Sequence, residues 1–396
     1  PAVVVEPGGE DEVAALLAFA DREGLKVLVR GGGTQLGLGF PPSGGDMLLS
    51  TARLNRVVEH TPGDLTVTVE AGVPLVALQE TLGKAGQWLA LDPALPAGAT
   101  IGGIVATAAS GPRRLRYGGV RDQIIGVRVV RPDGTIAKGG GKVVKNVAGF
   151  DLPKLFTGSL GTLGVIVAAT FRLYPVPAGA STAVLTAPDP APLCELAVRT
   201  IATTLAPSAV SITGAAAGEP CALAIRFEGD EAACADRARE LLAQAGFPAA
   251  AGRILAGADD ATYWDTIGQG PTITASGAVL RLKVSLLPTN IADWLAQLQA
   301  LAAQHDVAVA WRLDAGHGLG DLCLSGAAPA LRDTVAELRS LALARQGSLV
   351  VTAAPPDLAH ALDPWGPTPA LALMRRVKEQ FDPHATLNPG RFVGGI

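Results

Sequence analysis

Val27-Leu28-Val29-Arg30-Gly31-Gly32-Gly33-Thr34-Gln35 is the stretch on which the fold turns. Residues 26–30 read as a strand that runs straight into three glycines. Without Cβ atoms these positions accept positive φ and let backbone amides approach a ligand closely, which makes the turn a phosphate nest. Upstream, Val3 to Val5 read as a short strand, and residues 10–23 place Val13, Leu16, Leu17 and Ala20 at helical spacing before Gly24 stops them. The expectation is a βαβ unit that delivers the glycine turn. A dinucleotide Rossmann loop would open into a helix, and residues 35–45 hold too much Gly and Pro to continue as one. Taken alone, a glycine triplet after a strand fits a plain turn equally well, so both readings stand at this point.

Working outward, residues 65–70 alternate as a strand, Gly72-Val73-Pro74 turn the chain, and Leu75, Leu78 and Leu82 mark a helix that Pro74 can start. A second glycine-rich stretch, Pro96-Ala97-Gly98-Ala99-Thr100-Ile101-Gly102-Gly103, leads into small apolar residues 104–109, suited to tight packing against a flat ring or to a buried turn. Residues 123–130 and 135–138 flank Pro132-Asp133-Gly134, a strong hairpin turn with no chemistry of its own. A third loop, residues 157–166, is rich in backbone amides and opens into a strand over 165–174, which Pro175 and Pro177 end.

From Ala178 the composition shifts. Ala-rich helical stretches at 193–205 and 231–245 alternate with strand-like 222–227 and 279–287, as in a second α+β domain. Residues 371–381 have helical apolar spacing, and the Pro-punctuated tail 382–392 is expected to pack back on the first domain. The expected division is 1–177, 178–365 and a returning segment 366–396.

With 396 residues, 48% of them hydrophobic, the chain can bury two cores, and its net charge of -4 offers no nucleic-acid surface. Cys194, Cys221, Cys234 and Cys323 are too far apart for a zinc knuckle or an iron–sulfur cluster, so no metal is expected. No apolar run reaches a membrane span. Pro1 enters Ala2-Val3-Val4-Val5 without a charged leader, so a cytoplasmic chain is expected unless a leader has been removed.

The ordered set Arg30-Gly-Gly-Gly-Thr34, Thr100-Ile-Gly-Gly103, Arg121-Asp122, Gly149-Phe-Asp151, Gly158-Ser-Leu-Gly-Thr-Leu-Gly-Val165 and Asn388-Pro-Gly-Arg391 resembles the p-cresol methylhydroxylase (vanillyl-alcohol oxidase) type of FAD-binding oxidoreductase. More narrowly, Ser110-Gly-Pro-Arg-Arg114, Arg121-Asp122, Lys142-Val-Val-Lys-Asn-Val-Ala-Gly149 and Ser159-Leu-Gly-Thr162 look like the FAD-binding E subunit of bacterial glycolate oxidase. The resemblance implies an α+β chain: a two-part FAD-binding domain followed by an α+β cap domain. It further implies that Gly31, Gly32, Gly33, Thr34 and Gln35, with Pro96, Gly98, Ala99, Thr100, Gly102 and Gly103, cradle the pyrophosphate, that Ala106 packs beside the cofactor, and that Arg30 either supplies charge there or is a surface arginine at the strand end. Gly161, Thr162, Gly164, Val165 and Ile166 would follow the cofactor through backbone atoms. Tyr117 and Gly118 belong to the expected set, with Asn388 and Arg391, which either reach the flavin from the tail or cap the tail itself.

Members of that family that bond the flavin covalently use a His or Cys in these loops. Thr34, Gln35 and Tyr117 stand there instead, so FAD is expected to be non-covalent. Catalytic relatives carry a His-x-Gly-Asp-Gly-Asn-Leu-His stretch in the cap, and its counterpart here is Gly316-His317-Gly318-Leu319-Gly320-Asp321-Leu322-Cys323, in which both histidines are lost and His317 is displaced by one position. His317 as a base and Arg114 as a carboxylate ligand are the catalytic candidates, each with a plain solvated role as its alternative. The resemblance implies partners: a catalytic FAD subunit, an iron–sulfur subunit and a small hydroxy acid, with membrane association only through partners. A self-sufficient hydroxy-acid or alcohol oxidoreductase and an interaction subunit with a vestigial flavin site remain as alternatives.

Overall fold

The computed structural model describes residues 1–142, 149–215, 218–274 and 277–396. Residues 143–148, the middle of the Lys142 to Gly149 motif, lie outside the described residues. The chain forms two compact units: Pro1–Ser110, Gly118–Val176 and Pro367–Ile396 make the first, Gly111–Tyr117 and Pro177–Gly366 the second.

In the first unit the helix Glu10–Arg22 buries Val13, Leu17 and Ala20, the three residues its 3.6-residue period brings to one face. They pack on a parallel sheet ordered Val3–Val5, Met47–Ser50, Val27–Arg30. The two strands of the expected βαβ unit therefore do not pair with each other. Met47–Ser50 lies between them and pairs with both, Val27 and Val3 each opposite Met47. A strand buried from both sides reads as a short apolar run without alternation, which is why Met47-Leu48-Leu49 carries so little signal.

Five further strands of this unit form an antiparallel sheet ordered Val57–Thr61, Thr66–Glu70, Val165–Arg172, Ile124–Val130, Ile136–Gly140, while Gln87–Trp88 and Tyr174–Pro175 pair with each other in a separate two-stranded sheet. Helices Leu75–Gly83 and Ile101–Thr107 contribute Leu75, Leu78, Leu82, Ile101, Ile104 and Val105 to its core. The hairpin at Pro132-Asp133-Gly134 forms as its residues dictate: Gly134 has φ +82°, and the Thr135 amide donates to the Asp133 carboxylate at 2.9 Å. The helix Leu371–Phe381 returns to this unit, where Phe381 meets Phe156 edge to face with centroids 5.6 Å apart.

The second unit is one eight-stranded antiparallel sheet built from two β-α-β-β-α-β halves. In the first half the order is Gly252–Ala256, Gly179–Ala187, Cys221–Gly229, Ala209–Gly214. In the second it is Ala308–Asp314, Leu319–Gly326, Ala278–Ser285, Ser348–Ala353. The halves join through Ala209–Gly214 and Ala308–Asp314, the second strand of each. Helices Pro190–Ile201, Glu231–Gln244, Ile291–Gln304 and Ala328–Ala344 share a single core with the sheet. Alternate residues such as Val184 and Ala224 instead meet Trp264 and Ile267 of the helix Gly257–Gly268.

Candidate functional site

At the end of the strand Val27–Arg30 the three glycines are fixed by what surrounds them. A Cβ on Gly31 would stand 2.3 Å from Thr100 Oγ1, and one on Gly32 would stand 1.7 Å from the Gly98 carbonyl oxygen. Gly33 needs its freedom for another reason, a φ of +81°. The Gly32 amide donates to Thr100 Oγ1 at 3.2 Å, while among the described residues no acceptor meets the amides of Gly33 and Thr34. Gly102 lets the helix Ile101–Thr107 lie against the preceding strand, since a Cβ there would be 2.7 Å from that of Ala71.

The third loop closes the other side. The amides of Gly158 and Leu160 donate to the carbonyls of Val105 and Ala106 at 2.9 and 2.8 Å. Leu160 accepts a left-handed backbone, φ +51°, to make that turn. Between the loops lies an open cleft that is continuous with solvent.

Most of the expected cofactor residues line this cleft: Arg30, Gly31, Gly32, Gly33, Thr34, Gln35, Thr100, Gly102, Gly103, Ala106, Gly161, Ile166, Asn388 and Arg391. Pro96, Gly98, Ala99, Thr162, Gly164 and Val165 are not part of that lining. Gly98 supports Gly32, and Gly164 packs on Phe156. Gly118, φ +76°, forms a turn against Asp122, whose carboxylate accepts from the Gly119 amide at 2.8 Å. Tyr117 belongs to the second unit and is buried there, its hydroxyl bonded to Glu228 and its pKa raised first by burial, so it is no part of the lining. Val29, Leu36, Thr51, Thr107 and Leu160 line the cleft without having been singled out. Leu160 sits inside a quoted motif and was within reach; Thr51 follows the unread strand Met47–Ser50 and was not.

Among the described residues the lining side chains include two arginines and no carboxylate, and no His, Cys or Tyr. Arg391 is largely committed: one nitrogen donates to the carbonyls of Leu36 and Leu38 at 2.7 and 2.8 Å, and burial lowers its pKa. Arg30 sits at the strand end beside Gly33, exposed. Glycines pressed against Thr100 and Gly98, unengaged amides and an arginine suit a pyrophosphate.

In the second unit the arginine cluster divides. Arg113 Nε donates to Glu228 Oε1 at 3.1 Å and Arg116 donates to the Glu228 carbonyl, so both serve to anchor their segment. Arg114 remains exposed. His317 sits on the turn after Ala308–Asp314, its backbone amide donating to the Asp314 carbonyl at 3.1 Å. Both ring nitrogens are buried without a partner among the described residues. Burial first, then Arg114, Lys283 and Arg312, lower its pKa to about 4, so the ring is neutral. No group of three His, Cys, Asp or Glu among the described residues is placed to hold a metal ion.

A two-unit α+β chain with a glycine cleft at a strand end is the build of an FAD-linked oxidoreductase. Residues 1–140 match the family described as FAD binding domain, and residues 365–392 match FAD linked oxidases, C-terminal domain. D-2-hydroxyglutarate dehydrogenase of Xanthomonas citri pv. viticola is 31% identical over 99% of this chain and 89% of that protein. Glycolate oxidase subunit GlcD of Bacillus subtilis is 36% identical over 45% of this chain and 38% of that subunit. Among solved structures, alkyldihydroxyacetonephosphate synthase superposes with a TM-score of 0.73 at 18% identity, covering 98% of this chain and 77% of that one. The chain belongs to the FAD-linked oxidases of the p-cresol methylhydroxylase type, a family of hydroxy-acid dehydrogenases and oxidases, and its cofactor is FAD. No helix among the described residues is long and apolar enough to cross a membrane.

Proposed function

We propose that this chain is the FAD-carrying subunit of a glycolate oxidase-like dehydrogenase for 2-hydroxy acids, working beside a catalytic flavin subunit and an iron–sulfur subunit. The observation that carries the reading is the glycine cradle, with Gly31 and Gly32 held against Thr100 and Gly98 so that only backbone faces the ligand. Gly31 to Thr34 and Thr100 to Gly103 would hold the pyrophosphate of FAD, and the backbone of Leu160, Gly161 and Ile166 would contact the rest of the cofactor. Binding is non-covalent, because no nucleophilic His, Cys or Tyr side chain lines the cleft.

Bound FAD supplies the acceptor for the two electrons that leave a 2-hydroxy acid as it becomes a 2-oxo acid. In the cap, Arg114 is the cation free to hold a carboxylate, since Arg113 and Arg116 are engaged at Glu228. His317, neutral and with no partner on either ring nitrogen, is the group able to accept the hydroxyl proton. One imidazole among three cations is a sparse set for the whole reaction, and this supports a division of labour with partner subunits.

The full-length similarity to a D-2-hydroxyglutarate dehydrogenase favours a second reading, a self-sufficient dehydrogenase. Anaerobic titration of the purified chain with glycolate, D-lactate and D-2-hydroxyglutarate separates the two. The subunit reading expects a yellow protein whose flavin band persists with each acid. Rapid bleaching by any of them would replace it with the second.

A further inference from the structure

The C-terminal segment is wired into both walls of the cleft. Lys378, 7% exposed, donates from its ammonium to the Asp382 carboxylate at 2.5 Å, to the Thr162 carbonyl at 2.8 Å and to the Leu387 carbonyl at 3.2 Å. Asp382, 1% exposed, accepts in turn from the amides of Thr386 and Leu387, each at 2.8 Å. One buried ion pair thus builds the tail turn and grips the third loop at Thr162.

Past that turn the tail runs beside the strand Val27–Arg30. The Val27 amide donates to the Thr386 carbonyl at 2.8 Å, and the Asn388 amide donates to the Val27 carbonyl at 2.9 Å. Asn388, φ +42° and 3% exposed, then spans the two walls with one side chain. Its Oδ1 accepts from the Val29 amide at 2.9 Å, and its Nδ2 donates to the Leu160 carbonyl at 2.7 Å. Val29 leads into the glycine turn, and Leu160 starts the opposite loop. No other described side chain hydrogen-bonds to both.

We propose that Lys378, Asp382 and Asn388 are positioning residues for FAD: they hold the two glycine loops at the separation the cofactor requires, so tail docking and FAD binding are coupled. The inference rests on the cleft being the FAD site. If Asn388 loses its side chain, a half-buried amide and a half-buried carbonyl on opposite walls lose the one side chain that links them, and the loops are free to part. Coupling is reciprocal, so FAD must also tighten the tail.

The test uses the whole chain. FAD affinity is read from quenching of flavin fluorescence, and amide hydrogen exchange at residues 386–388 is followed with and without FAD. Asn388→Gly keeps a residue tolerant of the left-handed backbone and removes the bridge; Asp382→Asn weakens the pair behind it; Gly134→Ala, in a hairpin away from the cleft, is the control for general destabilisation. We expect FAD binding to weaken about tenfold in the first two and to stay within about twofold in the control. FAD should slow exchange at 386–388 in the unaltered chain. Affinity within about twofold of the unaltered chain for Asn388→Gly, or an equal loss in Gly134→Ala, overturns the proposal. If Asn388→Gly fails to fold, the exchange measurement decides: no slowing by FAD overturns it. An unaltered chain that binds no FAD overturns the reading of the cleft itself, a separate result.

Discussion

At His317 the ring is buried beside three cations, and its pKa falls from the usual 6.5 to about 4. Protonation therefore works against the fold. The stability associated with the neutral ring is fully present above pH 6.5 and is lost as the pH falls toward 4, a range worth about 3 kcal/mol at most. His317→Gln should flatten this dependence: between pH 7 and pH 4.5 the unaltered chain should lose more urea resistance than the variant. Parallel losses would show that the ring is not the titrating group. The sequence marked His317 as a lone histidine in a loop, and nothing in its neighbours announced burial. Arg114 from another segment and Lys283 from another strand supply the field, and neither is near in sequence. The arginine run shows the same limit: Arg113 and Arg116 turn inward to Glu228 while Arg114 between them does not, a distinction that only the short helix Arg114–Tyr117 and the strand Cys221–Gly229 create.

At the scale of elements, helices with a clear 3.6-residue period and turns with obligatory glycines were legible. The spacing over residues 371–381 predicts a helix, which forms as Leu371–Phe381; Pro132-Asp133-Gly134 predicts a hairpin turn and joins Ile124–Val130 to Ile136–Gly140. Pairing was less legible, because the partner of a parallel strand lies far away in the chain and Met47–Ser50 had no alternation to betray it. The hairpin also has a defined worth. A Cβ on Gly134 would stand 2.9 Å from both the Ala14 carbonyl oxygen and the Ala18 Cβ at a φ of +82°, so Gly134→Ala should cost about 1–3 kcal/mol in thermal or denaturant unfolding while leaving FAD affinity unchanged. An unaltered unfolding midpoint would mean that the turn can relax away from the helix Glu10–Arg22 at no cost.

Across the whole molecule, the cofactor was more legible than the reaction. Glycines in tight loops declare themselves because no other residue fits Gly31 and Gly32, and three such loops in order specify one kind of site. The tail's part in that site was visible only as a motif at Asn388 to Arg391, since its bridge from Val29 to Leu160 joins residues more than two hundred positions away. The second unit showed in the sequence only as alternating helices and strands, and its doubling into two β-α-β-β-α-β halves was not legible there. The most direct test of the central claim is the visible spectrum of the purified chain, before and after acid precipitation, beside Gly32→Ala and the open-position control Gly63→Ala. The chain and Gly63→Ala should show a flavin spectrum, with FAD released intact into the acid supernatant, and Gly32→Ala, whose new Cβ would lie 1.7 Å from the Gly98 oxygen, should be colourless. Flavin retained on the precipitate, or a Gly32→Ala protein as yellow as its parent, would contradict the claim.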